Sequence, residues 1–197
     1  MEAREERIRN VAKTRQEGII VLEDIHDPHN AMAVVRTADA FGFQTIYVVF
    51  EREEIFNPKE LGKVTSKSAN KWIHFKTFKS TAECIKELKN EDYVMAATVL
   101  DKEAKPIEKA DLKAKKMAVW FGNEHRGLSE QAIKAADEKI YIPMKGMVQS
   151  LNLSVTAGIL MYEIDRRRKI WGEDNYRIEG EKLEKLSEEW VKKSRKY

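Results

Sequence analysis

Cysteine is almost absent from this chain, since Cys84 is the only one among 197 residues. A lone cysteine excludes an intramolecular disulfide, and this sparing usage fits a reducing, intracellular setting. Cys84 falls in an amphipathic, helix-like stretch over residues 80–89. We therefore expect an inert, partly buried thiol rather than a nucleophile.

Long apolar runs are lacking as well. No uninterrupted apolar stretch is long enough to cross a bilayer. The N-terminus is charged from Glu2 onward and has no apolar core of the kind that secretory signals need. These two absences predict a cytoplasmic protein without a membrane partner.

The common nucleotide and metal motifs are also missing. The glycines of 122-GNEHRG-127 do not fit a dinucleotide loop, and no Lys–Ser/Thr pair follows as in a P-loop. His26, His29 and His125 have no cysteine or clear further ligand beside them, so we predict no metal. Ser150 is not in a G-x-S-x-G elbow, so the sequence does not support a Ser/His/Asp hydrolase.

Charge is abundant but nearly balanced. Charged residues make up 35% of the chain and the net charge is only +3, so total charge does not indicate a nucleic-acid partner. The basic residues form three clusters, and these favour a polyanionic partner over the alternative of solvated helix faces. The clusters are Arg4, Arg7, Arg9, Lys13 and Arg15; Lys113, Lys115 and Lys116; and Arg166, Arg167, Arg168 and Lys169.

Strand-like and helix-like segments alternate along the chain. Strands are predicted at 19–22, 45–50, 72–75, 93–99, 117–121 and 140–142, and helices at 30–41, 80–89, 129–136 and 154–171. This order predicts an α/β fold with a mainly parallel sheet and helices on both faces. Polar turns follow three of the strands, and ligands of such folds bind beyond the carboxyl ends of strands.

Charged helices flank this core on both sides. Residues 1–17 form one, with Ile8, Val11 and Ala12 on one face. Residues 172–197 carry the other, whose apolar face is Leu183, Leu186, Trp190 and Val191. The predicted organisation is therefore an N-terminal helical extension (1–17), a central domain (18–171) and a C-terminal helical extension (172–197).

Two polar residues stand out in the helix predicted over 30–41. Asn30 is placed to cap its first turn. Arg36 interrupts the apolar stretch 31–40, and an arginine facing a core needs an anionic partner. Arginines in such positions either bind phosphate or carboxylate groups of a ligand, which we favour, or pair with an acidic side chain.

Three segments together resemble the TrmH branch of the SPOUT superfamily, the RNA 2′-O-ribose methyltransferases. The first motif corresponds to 27-DPHNAMAVVRTADAFG-42, with Asn30 and Arg36. The second corresponds to 121-FGNEHRGLS-129, with Glu124. The third corresponds to 142-IPMKGMVQSLNLSVTAG-158, with Ser150 and Asn152. The resemblance extends from about Val21 to Arg168.

The resemblance implies a C-terminal deep trefoil knot, a rare exception to unknotted topology, with S-adenosylmethionine bound in it and no metal. The implied cofactor-binding residues are Thr98, Val99, Leu100, Gly122, Ile142, Met144, Ser150 and Leu151. Apolar walls and main-chain groups suit an adenine, and close backbone approach favours glycine at positions 122 and 146.

The implied reaction moves a methyl group from the sulfonium of the cofactor to a ribose 2′-hydroxyl. The implied catalytic residues are Arg36, Asn30, Glu124, Ser150 and Asn152. Arg36 is expected to clamp a phosphate and stabilise the developing alkoxide, because a guanidinium is a poor base. Glu124 is expected to brace the motif loops or to cap amides near Gly127. Family members are homodimers, and helix 154–161 is the candidate interface.

The terminal extensions favour the branch of the family that methylates guanosine 18 in the tRNA D-loop. Their cations, including Lys192, Lys193, Arg195 and Lys196, could contact tRNA phosphates. Two alternatives stay open. One is 2′-O-methylation of another tRNA position or of rRNA, and the other is a non-catalytic RNA-binding protein that keeps the knot.

Overall fold

A computed structural model describes residues 2–60 and 69–195, and its core is a seven-stranded sheet. The strands are β1 (Gln16–Glu23), β2 (Phe43–Val49), β3 (His74–Phe78), β4 (Val94–Thr98), β5 (Lys105–Pro106), β6 (Met117–Phe121) and β7 (Glu138–Tyr141). The main helices are α1 (Glu2–Lys13), α2 (Pro28–Ala40), α3 (Thr81–Asn90), α4 (Glu130–Ala135), α5 (Leu153–Gly172) and α6 (Gly180–Ser194).

All strand pairs of this sheet are parallel, in the order β3-β2-β1-β6-β4-β7-β5. The central strands alternate between two buried clusters. Ile20 and Leu22 of β1 pack on the face covered by α2 and α5, whereas Ile19 and Val21 pack on the face covered by α3 and α4. The predicted α/β fold with a parallel sheet covered on both faces is confirmed.

Local side-chain chemistry sets the start of two helices. Ser129 caps α4 by accepting a hydrogen bond from the Ala132 amide at 3.1 Å, as predicted. Asp27, not Asn30, caps α2, because its carboxylate accepts a hydrogen bond from the His29 amide at 2.8 Å. Pro28 fits the first turn, where a backbone N–H would have no acceptor within the helix. The capping role predicted for Asn30 is wrong, and its side chain is used elsewhere.

Strand β5 is not predicted by the sequence patterns. It pairs with β7 at the edge of the sheet through Lys105–Ile140 and Pro106–Tyr141. A two-residue strand has no periodic pattern to detect, and proline, which lacks an N–H, is tolerated only where one side of a strand is unpaired. Strand β7 also starts and ends slightly earlier than the predicted 140–142.

The terminal helices α1 and α6 pack on each other. Ile8 and Ala12 meet Leu186, Trp190 and Val191 in a separate buried cluster. The indole N–H of Trp190 donates to the Trp72 carbonyl at 3.1 Å, which ties the pair to the segment before β3.

The predicted packing of Val11 is wrong, since this residue is 40% exposed. Strand β1 begins at Gln16, and α5 ends at Gly172. The elements therefore change close to both predicted domain boundaries, and the division itself stays a prediction. Within the described residues, no helix is both long and apolar enough to cross a membrane.

The basic run of α5 is largely internal. Arg168 is 1% exposed, and its guanidinium donates to Gln16 Oε1 at 2.7 Å and to the carbonyls of Glu17, Ala114 and Lys115. Burial lowers its pKa to about 10. Arg167 is also buried and donates to two carbonyls of the segment 107–110.

The polyanion-binding interpretation is thus wrong for Arg167 and Arg168. These residues form part of the α5 packing surface and not of a basic face. The two flanking cations pair within the helix, Arg166 with Glu163 and Lys169 with Asp165.

Candidate active site

A cavity of about 920 Å³ opens at the carboxyl ends of β4, β6 and β7, next to the start of α5. The eight residues expected around a cofactor all line it: Thr98, Val99, Leu100, Gly122, Ile142, Met144, Ser150 and Leu151. Asn30, Glu124 and Asn152 line it as well. The polar turns after these strands converge as the parallel sheet requires.

A chain of hydrogen bonds joins the three motifs at this cavity. Asn152 Nδ2 donates to Asn30 Oδ1 at 3.2 Å, and Asn30 Nδ2 donates to Glu124 Oε1 at 2.9 Å. The other end is fixed because Asn152 Oδ1 accepts from the Ser154 amide at 2.8 Å and so caps α5. One carboxylate and two amides thus hold the starts of α2 and α5 together.

Glu124 braces the loop that leads into α2. Its carboxylate accepts from the main-chain amides of His26 at 2.9 Å and Asp27 at 3.3 Å, in addition to Asn30. The bracing role expected for Glu124 agrees with these contacts, but the expected partner near Gly127 is wrong. The Gly127 amide donates instead to the Asn123 carbonyl at 2.8 Å, which closes a tight turn in the loop 122–127.

Close backbone packing explains one of the two expected glycines. A Cβ on Gly122 would lie 2.3 Å from the carbonyl carbon of Gly127 and 2.3 Å from the Leu128 amide nitrogen. The loop 122–127 folds back against its own first residue and leaves no room for a side chain. Gly146 differs, because a Cβ there would have no described atom within 4 Å.

Arg36 does not line the cavity of its own chain. The buried face of α2 is Ala31, Met32, Val34, Val35 and Ala38. Arg36 is exposed on the opposite side, so the interpretation that it interrupts a core-facing stretch is wrong. It has no hydrogen bond or ion pair with any residue of 2–60 and 69–195, which leaves its guanidinium available for an external anion.

A second network, centred on Glu53, lies beside the first. Glu53 Oε2 contacts His26 Nδ1 at 3.1 Å, and Oε1 accepts from Arg126 at 2.6 Å and from Asn123 Nδ2 at 3.2 Å. Hydrogen bonds from His26 and then Arg126 lower the pKa of this carboxyl. Asp24 anchors the same loop by accepting from the amides of residues 51, 52 and 53.

Glu53 has no signal in the sequence patterns, because it follows β2 outside all three motifs. Its partners are nevertheless motif neighbours: His26 precedes the first motif, and Asn123 and Arg126 lie within the second. Only the parallel pairing of β2, β1 and β6 brings the three loops to one edge. That edge contains a histidine–carboxylate pair that composition and spacing do not predict.

Cys84 is fully buried on α3, more so than the partial burial expected, and burial raises the pKa of its thiol. Across residues 2–60 and 69–195, no three His, Cys, Asp or Glu side chains are grouped so that they could hold a metal ion.

Residues 17–162 match the model of the SpoU rRNA Methylase family. The chain belongs to this family. The match covers the whole sheet apart from the first residue of β1, and it includes every residue of the Asn152–Asn30–Glu124 chain.

Two of the similar proteins match this chain over nearly its full length, and a third matches over about four-fifths of it. The tRNA (guanosine(18)-2′-O)-methyltransferase of Thermus thermophilus is 36% identical over 194 residues, which cover 98% of this chain and 97% of that protein. The crystal structure of the Aquifex aeolicus TrmH/SpoU tRNA modifying enzyme superimposes with a TM-score of 0.84 at 30% identity, covering 98% and 97%. An AdoMet-bound rRNA methyltransferase from Sinorhizobium meliloti gives 0.70 at 27% identity, covering 81% and 60%.

Proposed function

We propose that this SpoU-family protein transfers a methyl group from S-adenosylmethionine to the ribose 2′-hydroxyl of guanosine 18 in the tRNA D-loop. The observation that carries the proposal is the cavity at the carboxyl ends of β4, β6 and β7, where all three motifs meet. The full-length similarity to the Thermus thermophilus enzyme, terminal helices included, favours this RNA target. We place the protein in the cytoplasm, where tRNA is modified.

The cavity suits S-adenosylmethionine in size and chemistry. Its volume of about 920 Å³ is within the range of small-molecule sites. Leu100, Ile142 and Met144 supply apolar surface for an adenine, while main-chain groups of the loops 99–102 and 143–151 supply hydrogen bonds. The bound cofactor provides a methyl group already activated by its sulfonium, and the protein has to align the acceptor oxygen with it.

A C-terminal deep trefoil knot is part of this proposal. After β4 the chain forms β5 at the edge of the sheet, returns to form β6 on the other side of β4, and then places β7 between β4 and β5. The loops 122–127 and 143–152 then come together around one cavity, as a knotted segment would. The superposition on the Aquifex aeolicus structure supports this path.

A homodimer built on α5 is the proposed assembly. Val155, Ile159 and Tyr162 share one face of α5 and are 48%, 36% and 55% exposed. In the loop that leads into α5, Met147 is fully exposed and Val148 is 62% exposed. An apolar surface of this kind on a globular protein indicates contact with another chain.

The dimer also provides a role for Arg36. The rings of Phe41, just after α2, and Tyr162 of α5 lie 6.3 Å apart, so α2 lies along the proposed interface. We propose that Arg36 reaches the cavity of the second protomer, where it clamps the phosphate beside the target ribose. Ser150, Asn152 and Asn30 then orient the ribose with neutral hydrogen bonds. Arg36 stabilises the alkoxide that develops as the 2′-hydroxyl loses its proton.

The N-terminal helix is the proposed phosphate-binding extension. Arg4, Arg7 and Arg9 of α1 are exposed, whereas Arg195 pairs with Glu5 and Lys193 pairs with Glu189. Lys196 lies outside the described residues. Free cations on α1 can add affinity for tRNA that falls with salt concentration.

Calorimetry and methyl transfer test the proposal together. S-adenosylmethionine should bind with a dissociation constant in the micromolar-to-millimolar range, and labelled methyl should pass to total tRNA and not to rRNA. No binding in that range would leave only the non-catalytic RNA-binding alternative. Transfer to rRNA, or to another tRNA position, would contradict the proposed RNA target but not the proposed reaction.

The dimer has a separate test. Ile159→Glu places a charge in the exposed apolar face of α5 and should convert a sedimenting dimer into a monomer with little methyl transfer. Ile170→Glu is the matched control, since Ile170 is 68% exposed on the same helix beyond that stripe. A wild-type protein that sediments as a monomer at working concentration would contradict the assembly.

A further inference from the structure

The motif residues do not offer a group to accept the proton of the 2′-hydroxyl. Arg36 is protonated at any physiological pH, as guanidinium groups are. Glu124 already accepts three hydrogen bonds, from the amides of His26 and Asp27 and from Asn30 Nδ2. Its oxygens are therefore occupied in holding the loop that leads into α2. The proton acceptor must therefore be sought outside the predicted catalytic set.

His26 is placed next to this set. Its main chain is bonded to Glu124, and its ring meets the ring of His125 edge to face with centroids 5.2 Å apart. Both Glu124 and His125 line the cavity. His26 does not itself line the cavity, but its imidazole contacts His125, which does, and its main chain is bonded to Glu124 of the Asn30–Glu124 pair.

The ring of His26 is oriented as general bases of this type are. Nδ1 contacts Glu53 Oε2 at 3.1 Å, which selects the tautomer with the proton on Nδ1. Nε2 has no hydrogen bond to any described residue, and 58% of the side chain is exposed. Arg126 and Asn123 hold Glu53 on its other oxygen, so the carboxylate stays ionised and in place.

We propose that His26 is the general base of the methyl transfer, with Glu53 as its positioning residue. The inference rests on the proposed function, because it assigns the proton acceptor of that reaction. Nε2 takes the proton of the ribose 2′-hydroxyl as the 2′-oxygen forms its bond to the methyl carbon. The carbon–sulfur bond breaks and its electron pair stays on sulfur, which yields the thioether product. The proton on the imidazolium is later lost to solvent.

Charged groups from three loops surround His26. Its own loop contributes Asp24, Asp27 and His29. The loop after β2 contributes Glu53, together with Glu51, Arg52 and Glu54 nearby in sequence, and the loop 122–127 contributes Glu124, His125 and Arg126. Only Glu53 contacts the ring of His26 with a negative charge among the described residues. Its removal takes away the acceptor that holds Nδ1 and orients the ring.

Single-turnover methylation of a tRNA transcript, measured between about pH 5.5 and 8.5 at saturating S-adenosylmethionine, tests this role. The wild-type rate should fall at low pH in proportion to the neutral imidazole. His26→Ala should lower the rate at the alkaline end by about 100-fold or more and abolish the acid limb. Glu53→Gln should keep more activity than His26→Ala and retain the acid limb, because the imidazole remains but is held less firmly.

His74→Ala is the matched control. His74 also pairs with a carboxylate, through Nε2 and Glu189 Oε2 at 2.8 Å, but on β3 and α6 and away from the cavity. It should leave the rate and the pH profile unchanged. Calorimetric binding of S-adenosylmethionine to each variant separates folding and cofactor binding from chemistry.

Two results would overturn the inference. An acid limb that persists unchanged in His26→Ala would place the titrating group elsewhere. A rise in KM for tRNA without loss of the saturating rate would make the histidines an RNA-contacting pair. Failure of the wild-type protein to methylate tRNA would instead reject the proposed function, so the two failures are distinguishable.

Discussion

Two arginines, Arg168 of α5 and Arg36 of α2, show how differently one residue type can be used. Arg168 is buried at the amino-terminal edge, where it donates to Gln16 and to carbonyls that precede β6. Arg36 is exposed on α2, and it has no partner in the described part of the chain. In sequence both lie in helical segments. Burial and partners separate a residue that stabilises the fold from one that is free to bind substrate.

The two edges differ in the same way as a whole. At the amino-terminal edge, two arginines are used in internal contacts: Arg168 donates to buried carbonyls, and Arg15, which lies between α1 and β1, pairs with Asp39 with its guanidinium 4.8 Å from the centre of the Trp190 ring. At the carboxyl edge, loops after β1, β2 and β6 bond to each other and leave charged groups open to a cavity. Changes to charged side chains should therefore alter mainly stability at the first edge and mainly activity at the second.

The largest effect is expected at Gly122, at the carboxyl edge, where the surrounding backbone leaves no room for a side chain. Gly122→Ala places a methyl group 2.3 Å from the Gly127–Leu128 backbone, which must move. We expect a loss of more than about 4 kcal/mol in unfolding free energy and no S-adenosylmethionine binding. Gly146→Ala is the control and should stay within about 0.5 kcal/mol by denaturant unfolding. Equal effects of the two would contradict the packing of the loop 122–127.

Arg168→Leu tests the amino-terminal edge. Removing the guanidinium leaves Gln16 Oε1 and several carbonyls buried without their donor, so thermal and denaturant unfolding should show a loss of about 3 kcal/mol. Arg166→Leu, whose side chain is 47% exposed, should cost less than about 1 kcal/mol. An Arg168→Leu protein that keeps its stability but loses methyl transfer would contradict the structural role of Arg168.

Arg36→Ala tests the exposed counterpart. It should lower single-turnover methylation by about 100-fold, through the lost clamp on the phosphate, without a change in melting temperature. Arg36→Lys should keep part of the rate, because a point charge still attracts the phosphate. Equal loss in both variants would favour a base role or a strictly bidentate contact.

The smallest effect concerns acid stability on α5. Hydrogen bonds from Arg166 and Arg167 lower the pKa of Glu163 to about 2. Its contribution is therefore present above the pKa of an unfolded glutamate, about 4.3, and is lost as the pH falls from there toward 2. Glu163→Gln should show a shallower loss of melting temperature over this window than the wild type. Glu184→Gln, an exposed change on α6, should retain the wild-type slope.

Much of this fold could be predicted, because alternating strands and amphipathic helices carry periodic patterns. Strand β6 is predicted at its observed bounds and Ser129 at its observed cap. The eight cofactor-binding residues that the family resemblance implies also line a single cavity. Strand β5 is not predicted, because two residues are too few to show a periodic pattern. The capping role predicted for Asn30 is wrong because Asp27 caps the same helix.

Other features depend on tertiary contacts that no local pattern encodes. In sequence, Arg167 and Arg168 resemble part of a basic helix face. In the fold they donate hydrogen bonds to carbonyls of the segments 107–110 and 114–115, which pack against α5. Glu53 is unremarkable in sequence and gains its role from three loops that meet at one sheet edge. Sequence patterns predict elements well, whereas the partners of charged side chains emerge only from the assembled fold.

Mapping of the methylated nucleotide tests the central claim most directly. A tRNA transcript is incubated with the protein and labelled S-adenosylmethionine, digested with nucleases and analysed for 2′-O-methylguanosine. The account predicts one methyl group per tRNA, on the ribose of guanosine 18, and none on a transcript with adenosine at that position. Methyl transfer to a base, or equal transfer to both transcripts, would contradict it.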